Sequence, residues 1–417
     1  METERVIFHI DCNGFYAAVE CLDDPSLREI PMAVAGDPEA RSGIILAKNE
    51  LARKYGVKTA ETIYQARRKC PDLHLVPPHF SRYAEISRRV KALFGEYTDQ
   101  VESFGLDEAW LDVTGSLRYF RTTPRALADR IRERVKEEIG ITVSVGVSFN
   151  KVFAKLGSDL KKPDATSVIT RENFRQIVWR LPASDLLFVG KTTAEVLKRN
   201  YIVTIGDVAR AGAERLEKLL GKQGVVFWRY ANGLDDSPVL RSGEEEPTKS
   251  ISNGMTFRRN LLGYEELKSG VVALTDEVAS RLREEKLNCL GVQIMIRDPD
   301  MRTITRQTLL PRPTHLQKEI VDAAMALIRA NWSDNLPVRA IAITASRLTG
   351  EAEACEQTTL LGAESKQRNR FEHAEEAMQK LRRKYGRSCI AMGYVEDDSM
   401  GIHQFEHKEK KESVSQP

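Results

Sequence analysis

Apolar residues follow two patterns along the N-terminal part of the chain, and each pattern predicts one kind of element. Val6–Ile10 and Ile141–Ser148 are almost continuously apolar, which predicts strands that are buried on both faces. Segments 81–98, 124–139 and 151–159 carry apolar residues every three or four positions, which predicts amphipathic helices. This part of the chain is therefore expected to combine central strands with helices that cover them.

Two further apolar stretches, Val101–Leu106 and Ala109–Val113, are separated by two acidic residues, and this pattern predicts a hairpin. Residues 31–75 predict a small domain that is inserted after the first strand. The resulting order is strand, insertion, helix, hairpin, helix, strand, which is typical of a split βαβ core. The elements predicted within the insertion are the strands Met32–Ala35 and Gly43–Ala47 and the helices Glu50–Tyr55 and Tyr64–Cys70.

The rest of the chain predicts a helical region, a linker, a second α/β unit and a tail. Residues 170–232 predict short helices, one of which opens at the turn Val189–Thr193, and the polar stretch 233–248 predicts a linker. The tail, 351–417, predicts one helix at 365–385 and a charged end. The second unit, 249–350, predicts the strands Ser250–Arg258, Gly291–Arg297, Thr303–Leu310 and Val338–Leu348 and the helices 264–285 and 315–331.

Composition narrows the class of protein without fixing its function. A chain of 417 residues that is 41% apolar and 29% charged predicts a globular protein of several domains. The net charge of +3 permits a nucleic-acid partner but does not require one. Six cysteines without a CxxC pair indicate reduced thiols and argue against zinc. We find no secretory leader and no membrane-spanning stretch, so we expect a cytoplasmic protein without a membrane partner.

Three acids stand where predicted strands end: Asp11 after the first strand, and Asp107 with Glu108 at the hairpin turn. Adjacent side chains in a regular strand face opposite sides, so Asp107 and Glu108 can act together only at such a place. Converging acids raise one another's pKa unless a cation joins them, and oxygen ligands favour Mg²⁺ or Mn²⁺. Two such ions are the usual device of nucleotidyl transfer. Acids at strand ends are also common turn formers and caps, so spacing alone leaves both interpretations open.

Four ordered motifs resemble those of the Y family of DNA polymerases, and within it the bacterial polymerase IV branch. The resemblance covers about residues 1–350. The segments that carry it are Ile10–Glu20, Ala52–Val57, Ser103–Val113, and Val143–Lys155 followed by Lys161–Pro163.

The resemblance implies an α/β (α+β) fold of the right-hand polymerase type. It implies a ferredoxin-like palm, small inserted fingers, a helical thumb with a helix-hairpin-helix, and an α/β little finger. The implied boundaries are palm 1–12 and 78–166, fingers 13–77, thumb 167–232, linker 233–248, little finger 249–350 and tail 351–417.

The implied function is template-directed, low-fidelity translesion DNA synthesis without proofreading, in DNA repair and damage tolerance. The implied ligands are primer-template DNA, a dNTP and two Mg²⁺ ions, with Mn²⁺ as a substitute, and we expect a monomer. Asp11, Asp107 and Glu108 would be the catalytic and metal-binding acids, and the backbone carbonyl of Cys12 a further metal ligand.

The family's motifs also assign residues to the nucleotide. Tyr16 stands where a ring below the sugar excludes a 2′-hydroxyl group, and Phe15 precedes it in the nucleotide-binding motif. Arg53 and Lys162 match residues that hold the triphosphate through charge-assisted hydrogen bonds. The alternatives are a core or capping aromatic for Tyr16 and solvated surface cations for Arg53 and Lys162.

Three positions depart from the family pattern. Asn13 replaces the second acid of the first motif, where we expect little effect on catalysis. Glu50 occupies a position often held by a phosphate-binding tyrosine, so that role is not carried over, because an acid repels a triphosphate. Phe188 replaces the first glycine of the usual thumb hairpin, which puts one close approach of the backbone to DNA in question.

Further residues are expected to contact DNA or a protein partner. Gly190 and Lys191 lie at a helix start, whose amides can bind a DNA phosphate. In the second unit, alternation along strands would put cations and hydroxyl groups on one sheet face, suited to phosphate contact, although an ordinary solvated face remains the alternative. Those residues are Lys249, Ser250, Arg258, Arg297, Arg302, Thr303 and Arg347.

The segment Gln357–Leu361 resembles a sliding-clamp-binding peptide, in which Gln357, Leu360 and Leu361 would make the contacts. A plain linker is the alternative there.

Two rival functions remain. A nucleotide cyclase can use strand-end acids on a similar core, but the thumb and little finger argue against it, since a cyclase has no duplex to hold. A non-catalytic, clamp-tethered DNA-binding protein would not need Asp11, Asp107 and Glu108. Primer extension with Mg²⁺ separates all three functions.

Overall fold

A computed structural model describes residues 4–37, 43–244, 247–350, 363–386, 389–390 and 398–402. The described residues form two compact units, one ending at residue 244 and the other beginning at residue 247. Both units combine helices and strands, so the predicted mixed α/β fold is confirmed. Within the described ranges, no helix has the length and apolar character needed to cross a bilayer.

The first unit contains eight strands and twelve α-helices within its described residues. The strands are β1 Ile7–Cys12, β2 Met32–Ala35, β3 Ile45–Lys48, β4 His74–Val76, β5 Val101–Ser103, β6 Glu108–Asp112, β7 Val143–Ser148 and β8 Thr166–Val168. The helices are α1 Phe15–Asp23, α2 Glu50–Lys54, α3 Ile63–Lys69, α4 Phe80–Gly95, α5 Ser116–Phe120, α6 Pro124–Glu138, α7 Lys151–Leu160, α8 Phe174–Ile177, α9 Lys191–Arg199, α10 Ile205–Ala211, α11 Ala213–Leu220 and α12 Lys222–Ala231.

A five-stranded sheet in the order β5-β6-β1-β7-β8 forms the centre of the first unit. β1 is antiparallel to both of its neighbours, β6 and β7. Every residue of β1 and of β7 is buried, as their continuous apolar sequence predicts. The reason is that helices α4 and α6 contribute to the core on one face, and α7 packs on the other.

Helix α7 lies unusually close to the sheet, and two glycines make this possible. A Cβ on Gly146 in β7 would lie 1.8 Å from the carbonyl oxygen of Ala154, and one on Gly157 would lie 2.9 Å from the Cα of Gly146. No side chain fits between the two backbones. The close contact brings the polar side of α7 to the end of β1.

Two smaller regions complete the first unit. A three-stranded sheet in the order β3-β2-β4 packs with α2 and α3 around its own apolar core. Helices α8 to α12 form a second core with Phe149 and Phe153. The three-residue strands β4 and β8 were not predicted, because segments this short show no periodicity.

The first half of the predicted linker packs on the first unit. Val239 is buried against Ile7 and Trp110. Arg5 donates hydrogen bonds to the carbonyl oxygens of Asp236 and Ser237, at 3.3 and 3.0 Å. Composition alone suggests a linker here, but one buried valine is enough to anchor a polar stretch.

The second unit is an antiparallel sheet in the order β11-β10-β12-β9, with helices on one face. A tail helix lies against those helices, where Arg283 and Glu375 form an ion pair with both side chains 7% exposed. The helix predicted at 365–385 is thus confirmed and belongs to this unit. The elements are β9 Ser250–Leu261, α13 Tyr264–Glu284, β10 Leu287–Arg297, β11 Thr303–Thr314, α14 Gln317–Asn331, β12 Val338–Gly350 and α15 Ala363–Tyr385.

Candidate active site

The central sheet brings the three predicted acids to one end. Asp11 and Glu108 are directly paired across β1 and β6. The amide of Cys12 donates to the carbonyl oxygen of Asp107 at 2.9 Å, which fixes the residue just before β6. Directly paired side chains share a face and lie within reach of each other, and like charges in such a pair are destabilising. The arrangement therefore requires a positive charge nearby.

Two lysines from α7 and the turn after it contact these acids. Lys162 Nζ lies 2.8 Å from Asp11 Oδ2 and 2.8 Å from Asp159 Oδ1. Lys155 Nζ donates to Glu108 Oε2 at 2.5 Å. Lys162 is the residue that the family's motifs predict to hold the triphosphate, whereas Lys155 ends the motif Val143–Lys155 and has no predicted role. The contact of Lys155 with Glu108 depends on the close packing of α7 against the sheet.

His9 is a buried histidine in the site that sequence reasoning missed. Its ring is fully buried in the centre of β1 and makes an edge contact with Trp110 at 5.2 Å between centroids. Nδ1 lies 2.8 Å from Ser158 Oγ, and Nε2 lies 3.2 Å from Glu108 Oε2. Burial lowers the pKa of His9, against an opposing effect of Glu108. A single histidine within an apolar strand does not predict these contacts from sequence alone.

Burial affects the acids unequally. It raises the pKa of Asp11 to about 7, although Lys162 opposes the shift. It also raises the pKa of Asp107, with a further contribution from Glu108. For Glu108, burial acts in the same direction, but contacts with His9 and Lys155 outweigh it and lower the pKa. For Lys162, attraction to Asp11 and Asp159 outweighs burial and raises the pKa. The folded structure thus stabilises the ionised form of Glu108, whereas burial disfavours the ionised form of Asp11.

The carboxylates of Asp11, Asp107 and Glu108 are possible ligands for a divalent cation. In the described part of the chain, no three Asp, Glu, His or Cys side chains form a ready metal cluster, and lysines contact Asp11 and Glu108. The side-chain donors are nevertheless carboxylate oxygens, which hard cations prefer. Burial raises the pKa of Asp11 and Asp107, so both carboxylates are stabilised by an added positive charge. The residues fit a divalent cation whose binding would displace Lys162 from Asp11.

Tyr16, the predicted sugar-discriminating residue, packs in an aromatic group. Its ring stacks on Tyr83 and meets the edge of Phe80. The Tyr83 hydroxyl donates to the buried carboxylate of Glu20. The ring of Phe15 is 3% exposed and belongs to the core, so only its backbone is available to a nucleotide.

Arg53 and the three departures from the family pattern have distinct surroundings. Arg53, the second predicted triphosphate residue, is exposed and lies 2.7 Å from Glu50. The Asn13 side chain donates a hydrogen bond to the Thr142 hydroxyl and accepts one from the Ser144 hydroxyl, both at the start of β7. Phe188 is 60% exposed and has a φ of 68°, a left-handed conformation that normally favours glycine. The thumb hairpin thus keeps a glycine-like backbone with an aromatic side chain. Gly190 and Lys191 are exposed at the start of α9, where no side chain caps the helix.

Among the described residues of the second unit, helices cover one face of the sheet and leave the other face open. Strand register and alternating burial place Ser250 of β9, Arg297 of β10 and Thr303 of β11 on this face. Lys249 and Arg302 are exposed beside strand ends, and Arg258 is exposed within the register shift between Thr256 and Leu261 of β9. Arg347 is exposed and has a φ of 51°, which is not an extended strand conformation, so alternation does not determine which face it occupies.

The predicted clamp-binding residues Gln357, Leu360 and Leu361 lie outside the described residues. The described chain resumes at α15.

Comparison with known proteins identifies the family. The family model described as impB/mucB/samB matches residues 10–159, and the model of that family's C-terminal domain matches residues 248–360. DNA polymerase IV of Acetivibrio thermocellus is 43% identical over 395 residues, which are 95% of this chain and 98% of that relative. DNA polymerase IV 1 of Bacillus subtilis is 38% identical over 391 residues, which are 93% of this chain and 92% of that relative.

A solved chimeric Y-family DNA polymerase shares the fold, with a TM-score of 0.72 and 22% identity, covering 83% of this chain and 99% of that chain. The chain therefore belongs to the impB/mucB/samB family, within the Y family of DNA-directed DNA polymerases and its bacterial polymerase IV branch.

Proposed function

We propose that this chain carries out template-directed, low-fidelity translesion synthesis without proofreading, by nucleotidyl transfer that depends on two divalent ions. The observation that carries the proposal is the strand pairing that brings Asp11, Asp107 and Glu108 to the same end of the central sheet. Family membership supports the reaction class and a general dependence on divalent metal ions. Mg²⁺ is the expected ion, and Mn²⁺ is a substitute with the same ligand preference.

The acids have different roles in this proposal. Asp11 and Asp107 would hold the ions together with the backbone carbonyl of Cys12, and Glu108 would complete the site beside the primer 3′ hydroxyl group. When bound, the two ions lower the pKa of that hydroxyl group and stabilise the pyrophosphate leaving group. Glu108 is suited to its place because its contacts with His9 and Lys155 keep its carboxylate ionised.

The cations of the site would orient the triphosphate. Lys162 lies 2.8 Å from Asp11, so its ammonium group can exchange that carboxylate for a phosphate oxygen without leaving the site. Arg53 would supply a second charge-assisted contact. Tyr16 would stand below the sugar and exclude ribonucleotides. A nucleotide held by these groups would present its α-phosphate to the acids, as in-line attack by a primer requires.

The remaining parts would hold DNA. We assign the central sheet and its helices to the palm, residues 13–77 to the fingers, 167–232 to the thumb and 249–350 to the little finger. The open sheet face of the second unit, with Ser250, Arg297 and Thr303, would contact phosphates, and so would the amides at Gly190 and Lys191. Clamp binding by residues 357–361, a monomeric state and a cytoplasmic location stay predictions from the sequence.

Primer extension tests the proposal. The purified chain should extend an undamaged primer-template with dNTPs and Mg²⁺, and Asp107→Asn should abolish extension while DNA binding persists. Asp99→Asn is the matched control, because Asp99 lies in the same unit with its side chain 74% exposed. No extension by the wild-type protein would refute the proposed reaction. Retained synthesis by Asp107→Asn would refute the metal assignment alone.

A further inference from the structure

His9 lies directly behind the predicted catalytic acid Glu108, in a position that the proposed reaction does not explain. Its side chain is completely buried, and its Nε2 atom makes no hydrogen bond of good geometry within the described chain. The nearest acidic oxygen is Glu108 Oε2, at 3.2 Å. Burying a nitrogen that lacks a well-aligned hydrogen-bond partner is unfavourable. The orientation of His9 Nε2 towards the Glu108 carboxylate therefore requires an explanation.

The hydrogen-bond donors and acceptors around the ring determine whether Nε2 carries a hydrogen. A carboxylate only accepts hydrogen bonds, so an Nε2 lone pair facing Glu108 would be repelled. On the other side, the Ser158 hydroxyl group has one hydrogen and two acceptors within reach, His9 Nδ1 and the carbonyl oxygen of Lys155, each at 2.8 Å. Whichever acceptor takes that hydrogen, repulsion is avoided only when Nε2 carries a hydrogen of its own.

The ring is also fixed in place. Trp110 packs against it, and Ser158 is presented by α7, which the glycine contact at Gly146 holds against the sheet. Lys155 contacts the same oxygen of Glu108. His9 and Lys155 therefore both face one carboxylate oxygen, which leaves the second oxygen of Glu108 for the reaction.

We propose that His9 is a positioning residue, which donates from Nε2 to Glu108 and fixes the direction in which the free carboxylate oxygen points. This inference rests on the proposed role of Glu108. Hydrogen-bond partners behind a metal ligand are worth roughly 10- to 100-fold in metal affinity or activity. Loss of the Nε2 donor should therefore reduce kcat by at least about tenfold and leave the KM for dNTP within about twofold.

Three substitutions separate this role from simple packing. His9→Phe keeps a ring against Trp110 and removes both nitrogens. His9→Gln and His9→Asn both remove the ring, but the glutamine amide nitrogen reaches the former position of Nε2, whereas the asparagine amide reaches only that of Nδ1. Ser148→Ala is a matched control, since it removes a buried hydroxyl-to-carbonyl hydrogen bond of 2.9 Å from the same sheet, away from Glu108.

The readouts are single-nucleotide kcat and KM, and Mn²⁺ affinity of the protein bound to a dideoxy-terminated primer-template and dNTP, measured by electron paramagnetic resonance of free Mn²⁺. We expect His9→Phe and His9→Asn to lose kcat and Mn²⁺ affinity, and His9→Gln to recover to within about threefold of wild type. Equal losses for His9→Gln and His9→Asn, or wild-type values for His9→Phe, would overturn the proposal. Full activity of Glu108→Gln would refute the proposed role of Glu108 instead.

Discussion

The ring of Tyr16 stacks on the ring of Tyr83, with centroids 4.3 Å apart and planes inclined by 12°. Tyr83 is itself fully buried and is held by the carboxylate of Glu20, which also lies 2.9 Å from His79 Nδ1. A fixed ring therefore supports Tyr16 from behind. A rigid ring discriminates better than a mobile one, because it cannot move aside for an added hydroxyl group.

Tyr16→Ala should admit ribonucleotides. Removing the ring leaves space for a 2′-hydroxyl group, so the preference for dNTP over rNTP in kcat/KM should fall at least about tenfold, or about 1.4 kcal/mol of discrimination. Single-nucleotide insertion kinetics with matched dNTP and rNTP measure this ratio. Tyr16→Phe is the control, since it keeps the stacked ring. An unchanged ratio in Tyr16→Ala would remove Tyr16 from the discriminating role.

Glu50→Gln should strengthen dNTP binding. Glu50 lies 2.7 Å from Arg53, and both side chains are about half exposed, so the carboxylate competes with a phosphate for the same guanidinium group. Exposed pairs of this kind contribute about 0.2–1 kcal/mol, so the KM for dNTP should fall by a factor of up to about five, with kcat unchanged. Steady-state kinetics at low ionic strength provide the measurement.

The chain contains a matched control for Glu50. Arg82 and Glu85 form an ion pair of the same i,i+3 spacing at 2.8 Å, with a similarly exposed glutamate, on α4. Glu85→Gln should leave the KM unchanged. An equal fall in both variants would indicate a general charge effect, and no fall in Glu50→Gln would mean that Arg53 does not hold the triphosphate.

The parts of the site that local sequence could predict are those that depend on the ends of strands. Asp11 and Glu108 follow from apolar stretches that stop at an acid, and the register between β1 and β6 then pairs them. Lys155 and Ser158 contact residues that are far away in sequence. Both lie on α7, whose position against the sheet depends on Gly146. No periodicity in a single sequence encodes such a contact.

Deviations from regular geometry limited the prediction elsewhere. Alternation correctly groups residues such as Ser250 and Thr303, because β9 and β11 keep their register there. It does not place Arg347, whose left-handed backbone departs from the extended conformation on which alternation depends. The tail helix α15 was predicted as a helix without a role, since its sequence has few apolar residues. It packs through charged groups instead, and these carry no periodic signal.

Glu375→Ala should destabilise the second unit. Glu375 pairs with Arg283 and accepts hydrogen bonds from the amide of Gln317, so it links α15 to both α13 and α14. Removing one member of a buried pair leaves the other charge uncompensated, which typically costs about 3–5 kcal/mol. Hydrogen-exchange protection in α13 and α15 should fall. Glu376→Ala, at an exposed neighbouring position, is the control, and equal protection in both variants would contradict the linking role.

Asp11→Asn should stabilise the chain in the absence of divalent ions, while abolishing synthesis. Burial raises the pKa of Asp11 from 3.8 to about 7, so the folded state favours the protonated carboxyl group. The stability that this group contributes is complete below pH 4 and is lost as the pH rises through about 7. Each pKa unit corresponds to about 1.4 kcal/mol, so even after the lost contact with Lys162 a gain of at least about 1 kcal/mol is expected at pH 8.

Chemical denaturation with a chelator present, between pH 4 and pH 8, tests this sign. The free energy of unfolding of wild type should fall relative to that of Asp11→Asn across this range and level off above pH 7, and Mg²⁺ should reduce the difference because only the carboxylate binds it. Asp99→Asn, at an exposed position, should follow wild type throughout. If Asp11→Asn is no more stable than wild type at pH 8, the buried carboxylate is already compensated by Lys162. The need for a divalent cation at Asp11 would then have to come from the substrate and not from the fold.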